Sequence, residues 1–158
     1  MRAMRDPSTK RRPISNGRAR AEVPDKVLAK LRAICLTLPE AYEETAWVGT
    51  RWMVRKRNFA HVLAIRDRWP PAYARAAGAD GVVLTFRVSA LDYGAFDGAD
   101  PRFFPCEWGT LWGTKVVGLK LGRSIAWGEV EALVVESYRL LAPKKLATAV
   151  RAAALRGT

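Results

Sequence analysis

The sequence predicts an α+β fold: a two-layer α/β sandwich whose mostly antiparallel sheet, of four strands or slightly more, carries N- and C-terminal helices on one face. Three observations predict it. Apolar residues recur at helical spacing in one segment near each end of the folded part. Between them, several segments of strand length alternate or run apolar. Gly and Pro break the chain at short intervals, and helices with one apolar face each must cover a sheet to bury it.

Residues 1–22 are expected to be a disordered basic tail and 23–158 a single domain. The tail holds seven Lys or Arg against two acids and almost nothing to bury. Its surplus of five leaves about seven of the total +12 on the domain, so the basic character is not confined to the tail. The first helix is placed from Pro24 to Leu38, with Val27, Leu28, Leu31, Ile34, Cys35 and Leu38 as its stripe and Pro39 as its stop. Glu40, Glu43 and Glu44 follow as solvated loop acids, with Glu43 available to a cationic neighbour.

A hairpin comes next, with strands Arg51–Arg55 and Phe59–Ile65 joined by the basic turn Lys56-Arg57-Asn58. Both faces of Phe59–Ile65 are apolar, so its inward face stays open. Asp67–Asp80, with Pro70, Pro71 and Gly78, is expected to be a loop holding one helical turn near Tyr73–Ala77. Val82–Val88 forms the third strand, and Ser89 with Asp92 caps a short helix ending near Phe96. Asp97–Thr114 is expected to be an irregular connection. Lys115–Leu121 forms the fourth strand, and Trp127–Ala142 is the closing helix, buried through Val130, Leu133, Val134, Ser137, Tyr138 and Leu141. Lys144–Leu155 adds a frayed helix.

Leu38-Pro39-Glu40-Ala41 with Glu43-Glu44-Thr45, the block Phe59-Ala60-His61-Val62, and the run Glu136-Ser137-Tyr138-Arg139-Leu140 with Ala142-Pro143-Lys144-Lys145-Leu146 resemble the MmcQ/YjbR family over roughly residues 26–146. The resemblance implies a frataxin-like fold and a DNA-binding protein with a double-wing arrangement. The Asp67–Asp80 loop and the basic tail depart from the common pattern.

Catalytic chemistry is thinly supplied. His61 is the only histidine, and between Ala60 and Val62 it reads as a hydrogen-bonded structural residue. An enzyme would need one pocket gathering His61, Glu43 or Glu44, and Tyr138. Cys35 and Cys106 lack metal-ligand and disulfide spacing; Cys35 reads as a small hydrophobe, and a reducing cytoplasm fits. No metal or cofactor is expected. The first helix is not acidic enough for frataxin-like iron binding.

The leading functional expectation is a non-catalytic nucleic-acid-binding module, for DNA ahead of RNA, with no membrane partner. If Trp52, Val54, Leu84 and Phe86 face the helices, the other face presents Arg51, Arg55, Arg87, Lys120 and Thr85. Lys56 and Arg57 cap the hairpin, Arg123 caps the last strand, and Lys10, Arg11 and Arg12 arm the tail. Phe103, Phe104, Trp108 and Trp112 read as core packing rather than a base-stacking platform. The alternative is a protein-interaction or small-ligand-binding domain using the open sheet face without nucleic acid, or covering it as a homodimer.

Overall fold

The chain runs α1 (Asp25–Cys35), β1 (Tyr42–Thr45), β2 (Thr50–Val54), β3 (Arg57–Ile65), α2 (Pro71–Ala77), β4 (Gly81–Ser89), a 3-10 turn (Tyr93–Phe96), β5 (Phe103–Leu111), β6 (Thr114–Leu121), α3 (Trp127–Leu141) and α4 (Lys144–Arg156). The computed structural model describes residues 22–156 apart from Asp97, Ala99 and Trp112, and side chains except those of Thr110 and 151–156. The predicted disordered tail lies outside the described residues but for residue 22.

Six antiparallel strands form one sheet in the order β1-β2-β3-β4-β6-β5. The α+β sandwich stands, with two strands more than the four counted in sequence. Strand β1 is the segment expected to be an acidic loop, and β5 crosses the supposed irregular connection. Pro105 and Gly109 disguise β5, whose pairing with β6 shifts register between Cys106 and Leu111. Both are edge strands, where short lengths, charges, prolines and bulges are at home.

Strand β3 settles the question of its two apolar faces by burying both. It carries one extra residue: Trp52 pairs with Ala60 and Met53 with Asn58, leaving Phe59 between them. Phe59, Ala60 and Val62 join a core with Trp52, Val54, Leu84, Phe86, Val117 and the helical residues Leu31, Cys35, Val130, Val134, Tyr138 and Leu141. Leu63 and Ile65 pack the other way, with Val48, Ala77, Val83, Phe104, Cys106 and Val116. A sheet buried on both faces explains why the inner strands read as continuous apolar runs.

That second core corrects the expectation of an open face. Helix α2, which extends the helical turn expected near Tyr73–Ala77 back to Pro71, lies over it, with Trp69, Tyr73 and Trp108 packed against the cluster. Gly118 belongs here too. Its strand partner is Phe104, whose ring occupies the space where a Cβ would stand.

The bulge is completed from the helix layer. Ser137 of α3, wholly buried, donates its Oγ–H to Phe59 O at 2.7 Å and accepts Arg87 N–H at 2.8 Å. One hydroxyl thus serves a carbonyl and an amide on neighbouring strands, where buried backbone groups need partners. Nearby, Tyr138 donates to Pro39 O at 2.7 Å and stacks edge-on against Phe59. No helix among the described residues is long and apolar enough to cross a membrane.

Candidate functional site

The basic residues singled out from the sequence separate into three groups. Arg51, His61 and Thr85 share one transverse row of the sheet on the α2 face, by the pairings Arg51–His61 and His61–Thr85. Arg87 projects on the same face next to Val116. These four, with Asn58, Tyr73, Trp47 and Trp108, line a cavity of about 320 Å³. Arg51 and Arg87 are therefore pocket residues, half-buried, rather than parts of a flat basic surface.

The second group is the β2–β3 hairpin end. Arg55 and Lys56 form a two-residue turn with φ of 50° and 65°. Positive φ at both positions is the type I′ geometry that suits a hairpin's twist. Arg55 does not point to the α2 face as expected. It reaches the other way, to Glu40 at 2.7 Å, close to Lys145 and Tyr138. Arg57 donates to Leu141 O at 2.8 Å, at the C-terminal end of α3. Lys144 and Lys145 open α4 just beyond, both exposed, as is Lys56.

The third group sits at the other end of the sheet. Lys120 pairs with Val83 and is half-buried, and Arg123 is exposed just past β6. Through Val83, Lys120 stands level with Leu63, six residues along β3 from Arg57, which is roughly 20 Å from the hairpin turn at ~3.3 Å per residue. Lys10, Arg11 and Arg12 lie outside the described residues.

The groups an enzyme would have needed together are apart. Tyr138 is in the helix-side core with its hydroxyl on Pro39. Glu43 bridges α1 and the sheet, accepting from Arg32 at 2.9 Å and from Trp52 Nε1 at 3.0 Å. The arginine holds its carboxyl below the usual range, so the cationic neighbour is Arg32. Glu44 pairs with Arg51 at 2.7 Å.

His61 is the structural residue expected. Its Nε2 lies 2.6 Å from Val48 O, and a carbonyl only accepts, so that nitrogen carries the proton. Nδ1 is then the acceptor facing the Tyr73 hydroxyl at 3.4 Å. Burial lowers its pKa and favours this neutral form. Both cysteines are buried, and burial pushes the Cys106 thiol up to about 12 and Cys35 up as well. Among the described residues no group of three or more His, Cys, Asp or Glu could hold a metal.

The aromatic cluster divides between faces. Phe103 packs edge-on with Phe86 and Phe96 on the helix side, while Phe104 and Trp108 serve the α2 side; Trp112 lies outside the described residues. Sequence reasoning missed the pocket because β5 was read as an irregular connection and α2 only as one helical turn in a loop, with no sign that either covers the sheet. The spacing of Tyr73 and Trp108 around two apolar strands was the available signal.

A two-faced antiparallel sheet with a cation- and aromatic-lined pocket, and a basic hairpin at one end, defines the class. The YjbR family model matches residues 36–140, which is most of the chain. The chain belongs to the YjbR family. No curated protein and no solved structure matches it.

Proposed function

We propose that this protein binds nucleic acid, DNA ahead of RNA, by its phosphates and through the hairpin end. One observation carries the reading. Arg55, Lys56 and Arg57 meet Lys144 and Lys145 at one end of the molecule, where Glu40 pairs with Arg55. The turn also holds cations in a backbone conformation that costs a non-glycine residue roughly 1–2 kcal/mol. Asn-Gly would make the same turn at lower cost. Long basic side chains kept on a strained, protruding turn suit contact with a polyanion.

Family membership supports the reading, with β2–β3 as one wing. Lys120, roughly 20 Å away at ~3.3 Å per residue, and Arg123 beyond it would share a duplex with the hairpin end only if it spans about six base pairs or more, at ~3.4 Å per step. Lys10, Arg11 and Arg12 would add a non-specific arm.

Fluorescence anisotropy of labelled duplex across a salt series tests this, on the full chain and on one lacking residues 1–22. Four to five phosphate contacts give a log–log salt slope of about −4. Substituting Lys56, Lys144 and Lys145 with Ala together should reduce the slope by two to three. Binding absent from both forms at low salt would refute the proposal. Binding lost with the tail alone would transfer it to the arm.

A further inference from the structure

We propose that the pocket between the sheet and α2 is a second site, for a small planar anion: an aromatic ring bearing one phosphate or carboxylate group. Arg87 is the centre of the argument. Its Nη1 donates to Gly109 O and to Thr114 Oγ1 at 3.2 Å, both neutral acceptors. Among the described residues it has no carboxylate partner, whereas Arg32, Arg51, Arg55 and Arg139 each have one and Arg102 has two. A half-buried guanidinium without a counter-charge calls for an anion to supply it. Burial depresses its pKa with no acid nearby to offset it.

The chain is shaped around this group. Gly109, at φ 72°, brings β5 so close that a Cβ there would lie 3.3 Å from Arg87 Nη2. That positive φ places the β5 distortion against the arginine. The neighbouring pocket groups are donors as well. Asn58 Oδ1 is occupied by Ala60 N–H at 3.1 Å, which leaves its NH2 to face the cavity. Arg51 spends part of its fork on Glu44 and brings a second guanidinium to the same cavity. His61 and Tyr73 are engaged with each other and with Val48, so they shape the wall and contribute no charge.

The remaining walls are flat. Tyr73 meets Trp108 edge-on at 5.1 Å, and Trp47, 69% exposed, leans on Trp69 at the rim. Aromatic faces beside two guanidiniums favour a ring over an aliphatic acid. The volume, at the small end for ligand sites of ~300–1,000 Å³, limits the ring system to about one or two rings. This site stands whether or not the hairpin end binds nucleic acid.

Isothermal titration of the full chain with phenyl phosphate, benzoate and inorganic phosphate tests the proposal. Binding of either ring-bearing anion, at least tenfold tighter than inorganic phosphate, is the expected result. Phenyl phosphate alone would identify a phosphate ester, and benzoate alone a carboxylate. Arg87→Met should weaken binding at least tenfold. Asn58→Asp keeps the bond to Ala60 N–H while placing a negative charge in the cavity, so it should do the same in a chain that still folds. Failure of both ring-bearing anions to bind at millimolar concentration would overturn the proposal, as would binding indifferent to Asn58→Asp.

Discussion

Ser137→Ala removes one oxygen and two hydrogen bonds. In the native protein that oxygen accepts Arg87 N–H at 2.8 Å and donates to Phe59 O at 2.7 Å, at a wholly buried position. Alanine leaves both backbone groups facing a methyl group, in a gap too small to admit a water. An unsatisfied buried group costs about 1–3 kcal/mol. Arg87 is only half-buried, so the two together should come to roughly 2–4 kcal/mol. Urea denaturation should show a lowered midpoint with an unchanged m-value. Native-state hydrogen exchange should show the Arg87 amide accelerated beyond its neighbours. The exposed Ser124→Ala serves as the control. A loss below about 0.5 kcal/mol, the range of neutral surface changes, would refute the bridging role.

Gly118→Ala should destabilise by about 1–3 kcal/mol through overpacking, because its Cβ would overlap the Phe104 ring; a denaturation curve checks this, and Gly122→Ala, with open space around it, should be milder. Replacing Arg55-Lys56 with Asn-Gly should stabilise the hairpin by about 1–2 kcal/mol, less whatever the exposed Glu40 pair contributes, while weakening duplex binding. Thermal melts and anisotropy together would catch either half failing. His61, the only histidine, is held neutral with a lowered folded pKa, so the unfolded chain takes up the extra proton. Stability should therefore fall as pH drops below ~6.5, and His61→Asn should flatten that limb. Glu43, also lowered, adds its stabilisation in full above the unfolded value of ~4.3. That share is lost as pH falls through the folded value, and Glu43→Gln should remove it from the stability–pH profile.

Much of the fold was legible where one periodicity dominated. Val130, Val134, Tyr138 and Leu141 repeat at helical spacing, and the structure buries all four. Leu84 and Phe86 were assigned to the helix side by alternation, with Thr85 and Arg87 opposite, and the register agrees. Reading failed where the local signal pointed elsewhere. Tyr42-Glu43-Glu44-Thr45 looks like a solvated loop because its strand is held by one neighbour and two arginines rather than by apolar contacts. Strand β3 gave no preferred face because it has two buried ones and a bulge at Phe59. The site was half-legible for the same reason: the arginines were found, but the sheet itself divides Arg51 and Arg87 from Arg55 and Arg57, and α2 and β5 wall the first pair into a pocket.

The outermost strands bear on how this protein behaves in a crowd. One edge is four residues long and commits Glu43 and Glu44 to arginines; the other is broken by Pro105 and a register shift. Neither offers a neighbour a long flat row of unsatisfied amides and carbonyls to extend. A high concentration of this protein should therefore resist strand-by-strand stacking into fibres. Any assembly it forms would be built by side-chain surfaces rather than by backbone pairing.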